Sequence, residues 1–215
     1  MKNFLQWFFD KHNKETLRQH LVRGTLWSFV IKALSTFLVF LISVVLARLL
    51  GPDGLGQYAF AIALVQLLVL PGTLGTPQLI VREVSAKALS SSWGEIRGLL
   101  RRVNQSTLVI SILLVLLGFS LTWYFGESEE RQSMYVIWLA LLLIPMRVVT
   151  RIKTALIRGL RHVVLSQIPM LLFRPLLFLI FLLIFHWVCD DVLKTNTAIL
   201  FQIMATGLAL VTILA

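Results

Sequence analysis

Long apolar runs alternate with short polar turns along the chain. Six of these runs are each near the ~20 residues that a helix needs to cross about 30 Å of hydrocarbon. They cover about 25–47, 58–81, 104–125, 133–150, 165–187 and 196–214. The pattern predicts an all-α integral membrane protein in which a polar, basic N-terminal segment, residues 1–23, precedes a six-helix transmembrane lobe, residues 24–215. The N-terminal segment fits either an interfacial amphipathic helix or a basic tail on the cytoplasmic side.

The composition agrees with this class. Hydrophobic residues make up 58% of the 215 residues and charged residues only 14%, whereas a soluble domain carries roughly 25% charged residues. Lysines and arginines concentrate in the N-terminal tail, the turn after the second run and the turn after the fourth run. The opposite turns are acidic. Because cytoplasmic loops collect basic residues, we expect both termini of this multi-pass protein in the cytoplasm.

The net charge is +10. Because the basic residues collect in the predicted cytoplasmic turns, the membrane topology accounts for this charge and no nucleic-acid partner is predicted. The single Cys189 and four scattered histidines offer no metal-ligand spacing, and no cofactor is predicted. None of the six runs contains an aspartate or glutamate. Intramembrane hydrolysis and carboxylate-based glycosyl transfer need such groups at depth. We therefore predict that the protein is not an enzyme.

Two cations lie deep inside the apolar runs, Lys32 in the first and Arg174 in the fifth. A charge at such depth costs at least about 2.5–3.5 kcal/mol on insertion scales, so each should face a watered cavity or a partner. We expect Lys32 and Arg174 to share one interior space and to bind an anionic substrate. Arg147 is a further candidate for substrate binding. Since Arg147 and Arg82 fall at predicted cytoplasmic helix ends, anchoring of topology competes with that role.

Helix-breaking residues cluster in the second run, at Pro71, Gly72, Gly75 and Pro77. Broken backbone survives in a membrane only against protein or a water-filled cavity, and broken helices commonly mark transporter pathways. Pro175, directly after Arg174, removes the hydrogen bond to the carbonyl of Leu171. We predict hinges at these five positions, with a kink used only for packing as the alternative.

Several motifs resemble those of a known family. Residues 46–58 are similar to the turn after helix one in bacterial polysaccharide flippases. Their sequence is Leu-Ala-Arg-Leu-Leu-Gly-Pro-Asp-Gly-Leu-Gly-Gln-Tyr. These flippases form the O-antigen branch of the multidrug/oligosaccharidyl-lipid/polysaccharide exporter superfamily. Residues 73–83, 155–160 and 174–177 resemble the end of helix two and the region of helices four and five. The likeness covers about residues 23–187 in matching order and spacing.

The resemblance implies a function, the movement of undecaprenyl-pyrophosphate-linked oligosaccharide from the cytoplasmic to the periplasmic leaflet for polysaccharide or lipopolysaccharide synthesis. It also implies two helical lobes around a central cavity, of which six helices form one. We therefore expect a truncated form or a half-transporter that needs a C-terminal lobe or a second chain. A drug or ion-coupled exporter lobe and a non-transporting membrane partner of polysaccharide assembly are the alternatives.

Overall fold

The structure, a computed structural model, describes residues 2–73, 75–89, 93–125, 131–160, 163–188 and 193–214. All regular structure within these ranges is helical. The helices are α1 (Lys2–Thr73), α2 (Thr76–Leu89), α3 (Trp93–Phe125), α4 (Arg131–Leu141), α5 (Leu143–Gly159), α6 (Val163–Ile168), a π-helical segment (Pro169–Phe173), α7 (Arg174–Val188) and α8 (Thr195–Leu214). The chain is therefore an all-α protein over the described residues, as predicted.

Helix α1 consists of two arms that meet at Gly51. Gly51 has non-helical torsion angles, φ 70° and ψ −179°, and Pro52 follows it. We call residues 2–50 the first arm and residues 52–73 the second arm. Ser43 of the first arm and Leu70 of the second line one cavity of about 590 Å³. In a straight helix these residues would be roughly 40 Å apart at 1.5 Å per residue, so the second arm turns back toward the first.

Among the described residues, five helical segments are long and apolar enough to cross a membrane: Leu26–Thr73, Gly94–Tyr124, Met134–Gly159, Ser166–Val188 and Thr195–Ile213. The first of them is 48 residues long, more than twice the ~20 residues of one crossing. It contains both arms of α1. The protein is thus a multi-pass membrane protein, and the two arms together with the four other segments correspond to the six predicted runs.

Helix α5 lies at the centre of the larger hydrophobic cluster. Its Ile144 and Val148 are fully buried and pack with Val65 of the second arm and with Ile80 and Val84 of α2. A smaller cluster joins the first arm to α7 and α8 through side chains that include Leu46, Phe178, Leu182, Ala198 and Ala205. The two clusters place α5 and α7 on either side of the space that holds the polar residues described below.

The first arm and α7 run in the same direction. At one end, Gln167 of α6 donates a hydrogen bond from Nε2 to Ser28 Oγ at 3.3 Å. At the other end, Leu46 belongs to the same cluster as Leu182. Ser28 and Gln167 both come early in their apolar segments, and Leu46 and Leu182 both come late. Lys32 and Arg174 therefore lie at similar depth on neighbouring elements.

Candidate functional site

The second arm and α2 are separated by the predicted break. Helix α1 ends at Thr73, α2 begins at Thr76, and Gly75 between them has φ 72°. This left-handed conformation suits glycine because it has no Cβ. Gly72 packs closely on its surroundings, since a Cβ added there would lie 3.3 Å from Val148 Cγ2 of α5. At Gly72 the backbone thus lies against protein, as the energetics of a membrane interior favour, whereas Gly75 itself is exposed.

The backbone groups freed at this break find partners nearby. Pro77 has no N–H for the carbonyl of Thr73 four residues earlier, and the hydroxyl of Thr76 donates to that carbonyl instead, at 2.6 Å. The carbonyl of Gly75 accepts bonds from the N–H groups of Gln78 at 3.1 Å and Leu79 at 3.3 Å. The carbonyl groups of Thr73 and Gly75 at the break therefore both have hydrogen-bond partners.

A second irregularity precedes Arg174. The π-helical segment Pro169–Phe173 ends there, and the N–H of Arg174 donates to the carbonyl of Pro169 five residues earlier. Short π-helical turns inside α-helices occur frequently at functional sites because they re-aim the side chains that follow. The predicted hinge Pro175 is buried directly after this segment, and it has no N–H to donate to the preceding turn.

Arg147 is the buried cation of this region, only 7% exposed. It lies near the middle of the helical segment Met134–Gly159, which continues nine residues beyond the end predicted at residue 150. Arg147 is therefore not at a helix end, and its burial by protein favours a role in the interior over anchoring of topology. The Nε atom of Arg147 has no hydrogen-bond partner.

Arg147, Arg174, Tyr58 and Gln202 form one polar cluster between the second arm, α5, α7 and α8. Arg147 lies close enough to Arg174 and to Tyr58 to interact with both electrostatically, and Arg174 is half-buried within range of Tyr58. Tyr58 donates its hydroxyl hydrogen to Gln202 Oε1 at 2.5 Å. Its ring stacks on Phe178 with centroids 6.4 Å apart. We call these four polar residues the arginine cluster.

The arginine cluster carries positive charge without a counter-charge from the described part of the chain. The described ion pairs join Lys87 to Glu83 and Glu95, and none of the described carboxylates pairs with Arg147 or Arg174. No group of histidine, cysteine or acidic side chains suited to a metal ion occurs among the described residues either. Guanidinium groups such as those of Arg147 and Arg174 bind anions with several acceptor oxygens through charge-assisted hydrogen bonds.

Comparison with known proteins identifies the family. The family described as polysaccharide biosynthesis protein matches residues 21–215. The chain belongs to this family. Neither the curated proteins nor the solved structures include one that matches the chain. The resemblance found from the sequence motifs is thereby confirmed at the level of the family, and this polysaccharide biosynthesis protein is a multi-pass membrane protein.

Lys32 lies outside the arginine cluster of this polysaccharide biosynthesis protein. Its side chain is exposed, next to the buried face of the first arm that holds Ile31 and Ser35. One residue along a helix corresponds to a rotation of about 100°, which turns Lys32 away from Ile31. The structure groups Arg174 with Arg147 and Tyr58. A shared interior space with Lys32, which the sequence predicted, is not formed by the described residues.

Tyr58 and Gln202 were not selected from the sequence. Tyr58 appeared only as the last residue of the motif 46–58, and Gln202 is one of several polar residues in the mostly apolar helix α8. Polar residues inside membrane helices face protein or water because lipid offers no partner. That rule, applied to Gln202 as it was to Arg174, would have marked α8 as part of the site.

Proposed function

We propose that this polysaccharide biosynthesis protein moves an undecaprenyl-pyrophosphate-linked oligosaccharide across the bacterial inner membrane, and that the arginine cluster binds its pyrophosphate. The observation that carries this proposal is the burial of Arg147 beside Arg174 without a described carboxylate. Two like charges in a low-dielectric interior repel each other, and each loses hydration. A bound diphosphate would compensate both.

The chemistry of the two arginines suits that ligand. A guanidinium group presents five donors in a rigid fork and binds phosphate oxygens in a bidentate manner. The free Nε of Arg147 is one such donor. A cationic drug would be repelled by the same pair, which disfavours a drug exporter of the same superfamily.

The two helix irregularities support a transport cycle. Gly72, three residues before Gly75, packs against Val148 of α5, the helix that carries Arg147, and the π-helical segment leads directly into Arg174. A rotation at either place would therefore move a residue of the arginine cluster. Transporters commonly alternate access by movements of one helical body against another around a site at the membrane midplane.

The remaining parts of the proposal concern location and partners. The charge asymmetry supports a cytoplasmic location for both ends of the sequence, residues 1–23 and the end of α8. A second lobe, in the same protein or in another chain, would cover the site from the other side. In this role the protein carries out no covalent chemistry. Its partners are the bilayer and the lipid-linked glycan.

Export of polysaccharide in cells that depend on this protein tests the proposal. The variants Arg147→Gln and Arg174→Gln remove one charge each and keep a polar side chain. We expect each to lower export at least about tenfold, because a charge-assisted hydrogen bond contributes about 1.5–3 kcal/mol and a tenfold effect corresponds to about 1.4 kcal/mol.

The matched control is Arg97→Gln, which removes an exposed arginine of α3 outside the cluster. Membrane levels of all variants are compared by immunoblot, so that loss of export is separated from loss of protein. Equal export by the three variants would show that the cluster has only a general electrostatic effect and would contradict the proposal.

A further inference from the structure

A second cationic cavity lies between α2, α5 and the π-helical segment. It has a volume of about 640 Å³, and three arginines line it: Arg82 from α2 and Arg151 and Arg158 from α5. Arg151 and Arg158 are seven residues apart, two turns of the helix, so they share one face of α5. None of the three belongs to the arginine cluster.

The position of Arg158 is fixed by a neighbouring element. Its Nε donates to Ser166 Oγ of α6 at 3.3 Å, which leaves the terminal amino groups of the guanidinium for another acceptor. A basic residue that serves only to anchor topology points out to the lipid headgroups. Here the guanidinium is tied to the protein beside a cavity.

The nearest acidic residues in sequence do not neutralise this cavity. Glu83 and Glu95 both pair with Lys87, at 3.8 Å and 3.2 Å. No described carboxylate forms an ion pair with Arg82, Arg151 or Arg158. The cavity therefore offers three positive charges to a ligand from outside the chain, and a phosphate or diphosphate supplies the matching oxygens.

The rest of the lining is largely apolar. Pro77, Val81, Ala155 and Met170 face the same space as the arginines. A free inorganic anion would gain nothing from these side chains, whereas burial of a hydrocarbon chain contributes about 0.8 kcal/mol for each CH₂ group. The combination suits an amphipathic ligand whose phosphate lies next to its lipid chain.

Arg151 connects this cavity to the arginine cluster. It also lines the cavity of about 590 Å³ between the arms of α1, which extends to Tyr58. Arg151 is in turn close enough to Arg147 for an electrostatic interaction. Positive charge thus continues along α5 from Arg158 through Arg151 to Arg147, over roughly 16 Å at 1.5 Å per residue.

We propose that the cavity of Arg82, Arg151 and Arg158 is a capture site, which binds the diphosphate of the lipid carrier before Arg151 passes it to the arginine cluster. The capture site rests on the proposed function for the identity of its ligand. Independently of transport, we expect an isoprenyl diphosphate to bind at this cavity through the three arginines and the adjoining apolar side chains.

Protection of a cysteine in the cavity tests this claim directly. The chain has one cysteine, Cys189, so a Cys189→Ser background allows a single label to be placed by Gln78→Cys. Gln78 is exposed and lines the cavity. The probe is farnesyl diphosphate, a water-soluble isoprenyl diphosphate, added to the detergent-solubilised protein before maleimide. We expect it to slow labelling at position 78 and to leave labelling of Gly98→Cys, on the exposed face of α3, unchanged.

Charge variants then identify the residues responsible. Arg82→Gln and Arg158→Gln should each raise the concentration for half-protection at least about tenfold, equivalent to about 1.4 kcal/mol. Arg82→Lys, which keeps the charge and loses the fork, should have a smaller effect. Arg97→Gln should have none. Size-exclusion profiles show which variants remain folded. If Arg82→Gln and Arg158→Gln fold and farnesyl diphosphate protects their cysteine at the same concentration as in the parent, the proposal is wrong.

Two competitors separate the sources of the phosphate group. Inorganic pyrophosphate should protect at least about tenfold more weakly than farnesyl diphosphate, because it lacks the chain that the apolar wall would bury. If pyrophosphate slows labelling at position 78 as strongly as farnesyl diphosphate does, the ligand is not a lipid and the proposal is wrong. If micelles that contain phosphatidylglycerol slow labelling equally, the cavity is a general surface for anionic lipids and not a site for the carrier.

The outcome is independent of the test of the proposed function. If protection is absent while Arg147→Gln and Arg174→Gln still abolish export, only the capture site fails. If protection is found while those two variants export normally, the capture site stands as a binding site and the transport role of the arginine cluster fails.

Discussion

The hydroxyl of Tyr58 donates a hydrogen bond to the side-chain carbonyl oxygen of Gln202 at 2.5 Å, across 144 residues of sequence. The bond ties the second arm of α1 to α8. Tyr58 is also in electrostatic range of Arg147 and Arg174. Its ring and its hydroxyl therefore position one wall of the arginine cluster.

Replacement of Tyr58 by phenylalanine tests this bond. The ring contact with Phe178 would remain, while the carbonyl oxygen of Gln202, a residue only 7% exposed, would lose its donor. A buried acceptor without a partner costs about 1–3 kcal/mol. We expect Tyr58→Phe to lower the thermal stability of the solubilised protein. Tyr135→Phe, which removes the hydroxyl of an exposed tyrosine, is the control, and an equal melting temperature for the two variants would contradict the assignment.

The contact between α2 and α5 depends on the absence of a side chain at Gly159. A Cβ there would lie 2.9 Å from both Cβ and Cγ1 of Val84, which is fully buried. Overpacking of this kind costs about 1–3 kcal/mol. We expect Gly159→Ala to lower the melting temperature. Gly98→Ala, in open space on α3, should leave it unchanged or raise it slightly, because alanine is the better helix former.

If Gly159→Ala proves as stable as Gly98→Ala, the close packing of α2 on α5 is incorrect. The capture site would then also be in doubt, since these two helices form most of its lining.

Much of the fold could be predicted from the sequence because the membrane imposes simple rules. The six apolar runs became the two arms of α1 and four further segments, and the glycine and proline cluster at residues 71–77 became a helix break at Gly75. Lengths of apolar runs and helix breakers are local properties. The pairing of neighbours is not, so the sequence could not show that Arg174 lies beside Arg147 and Tyr58.

The positions of Lys32 and Arg174 inside apolar runs predict a shared interior space. In the structure Ser35 is buried while Lys32 is exposed, because the buried face of the first arm is centred on Ile31, Leu38 and Ile42. Which side of a helix packs against protein depends on the neighbouring helices, and the burial of Arg147 depends on them in the same way. The apolar runs alone show neither.

The backbone conformation at Gly75 gives a third prediction. Its φ of 72° is unfavourable for a residue with a Cβ, by roughly 1–2 kcal/mol. No clash adds to this, since the nearest atom to a new Cβ is Gln78 Oε1 at 3.9 Å. We expect Gly75→Ala to destabilise the break and to impair export, while Gly56→Ala, with open space around it, should not. Normal export by a stable Gly75→Ala would show that the break is used only for packing.

Topology can be tested by labelling from outside the cell. The charge pattern predicts that position 91 is cytoplasmic and position 128 periplasmic; both positions lie outside the described residues. With Cys189 replaced, Ser128→Cys should react with a membrane-impermeant maleimide in intact cells, and Ser91→Cys should react only after permeabilisation. The reverse pattern would invert the proposed direction of transport.

The central claim is that the protein moves a lipid diphosphate between leaflets by binding it at Arg147 and Arg174. Inverted membrane vesicles from cells that express the protein, loaded in the outer leaflet with a labelled isoprenyl-diphosphate glycan, measure this movement directly. We predict that the label becomes protected from an added glycosidase with the parent protein and with Arg97→Gln. Arg147→Gln and Arg174→Gln should each lower the rate at which the label becomes protected at least about tenfold, because each variant loses one charge-assisted contact. Protection at the parent rate in both cluster variants, at equal protein levels, would contradict the account.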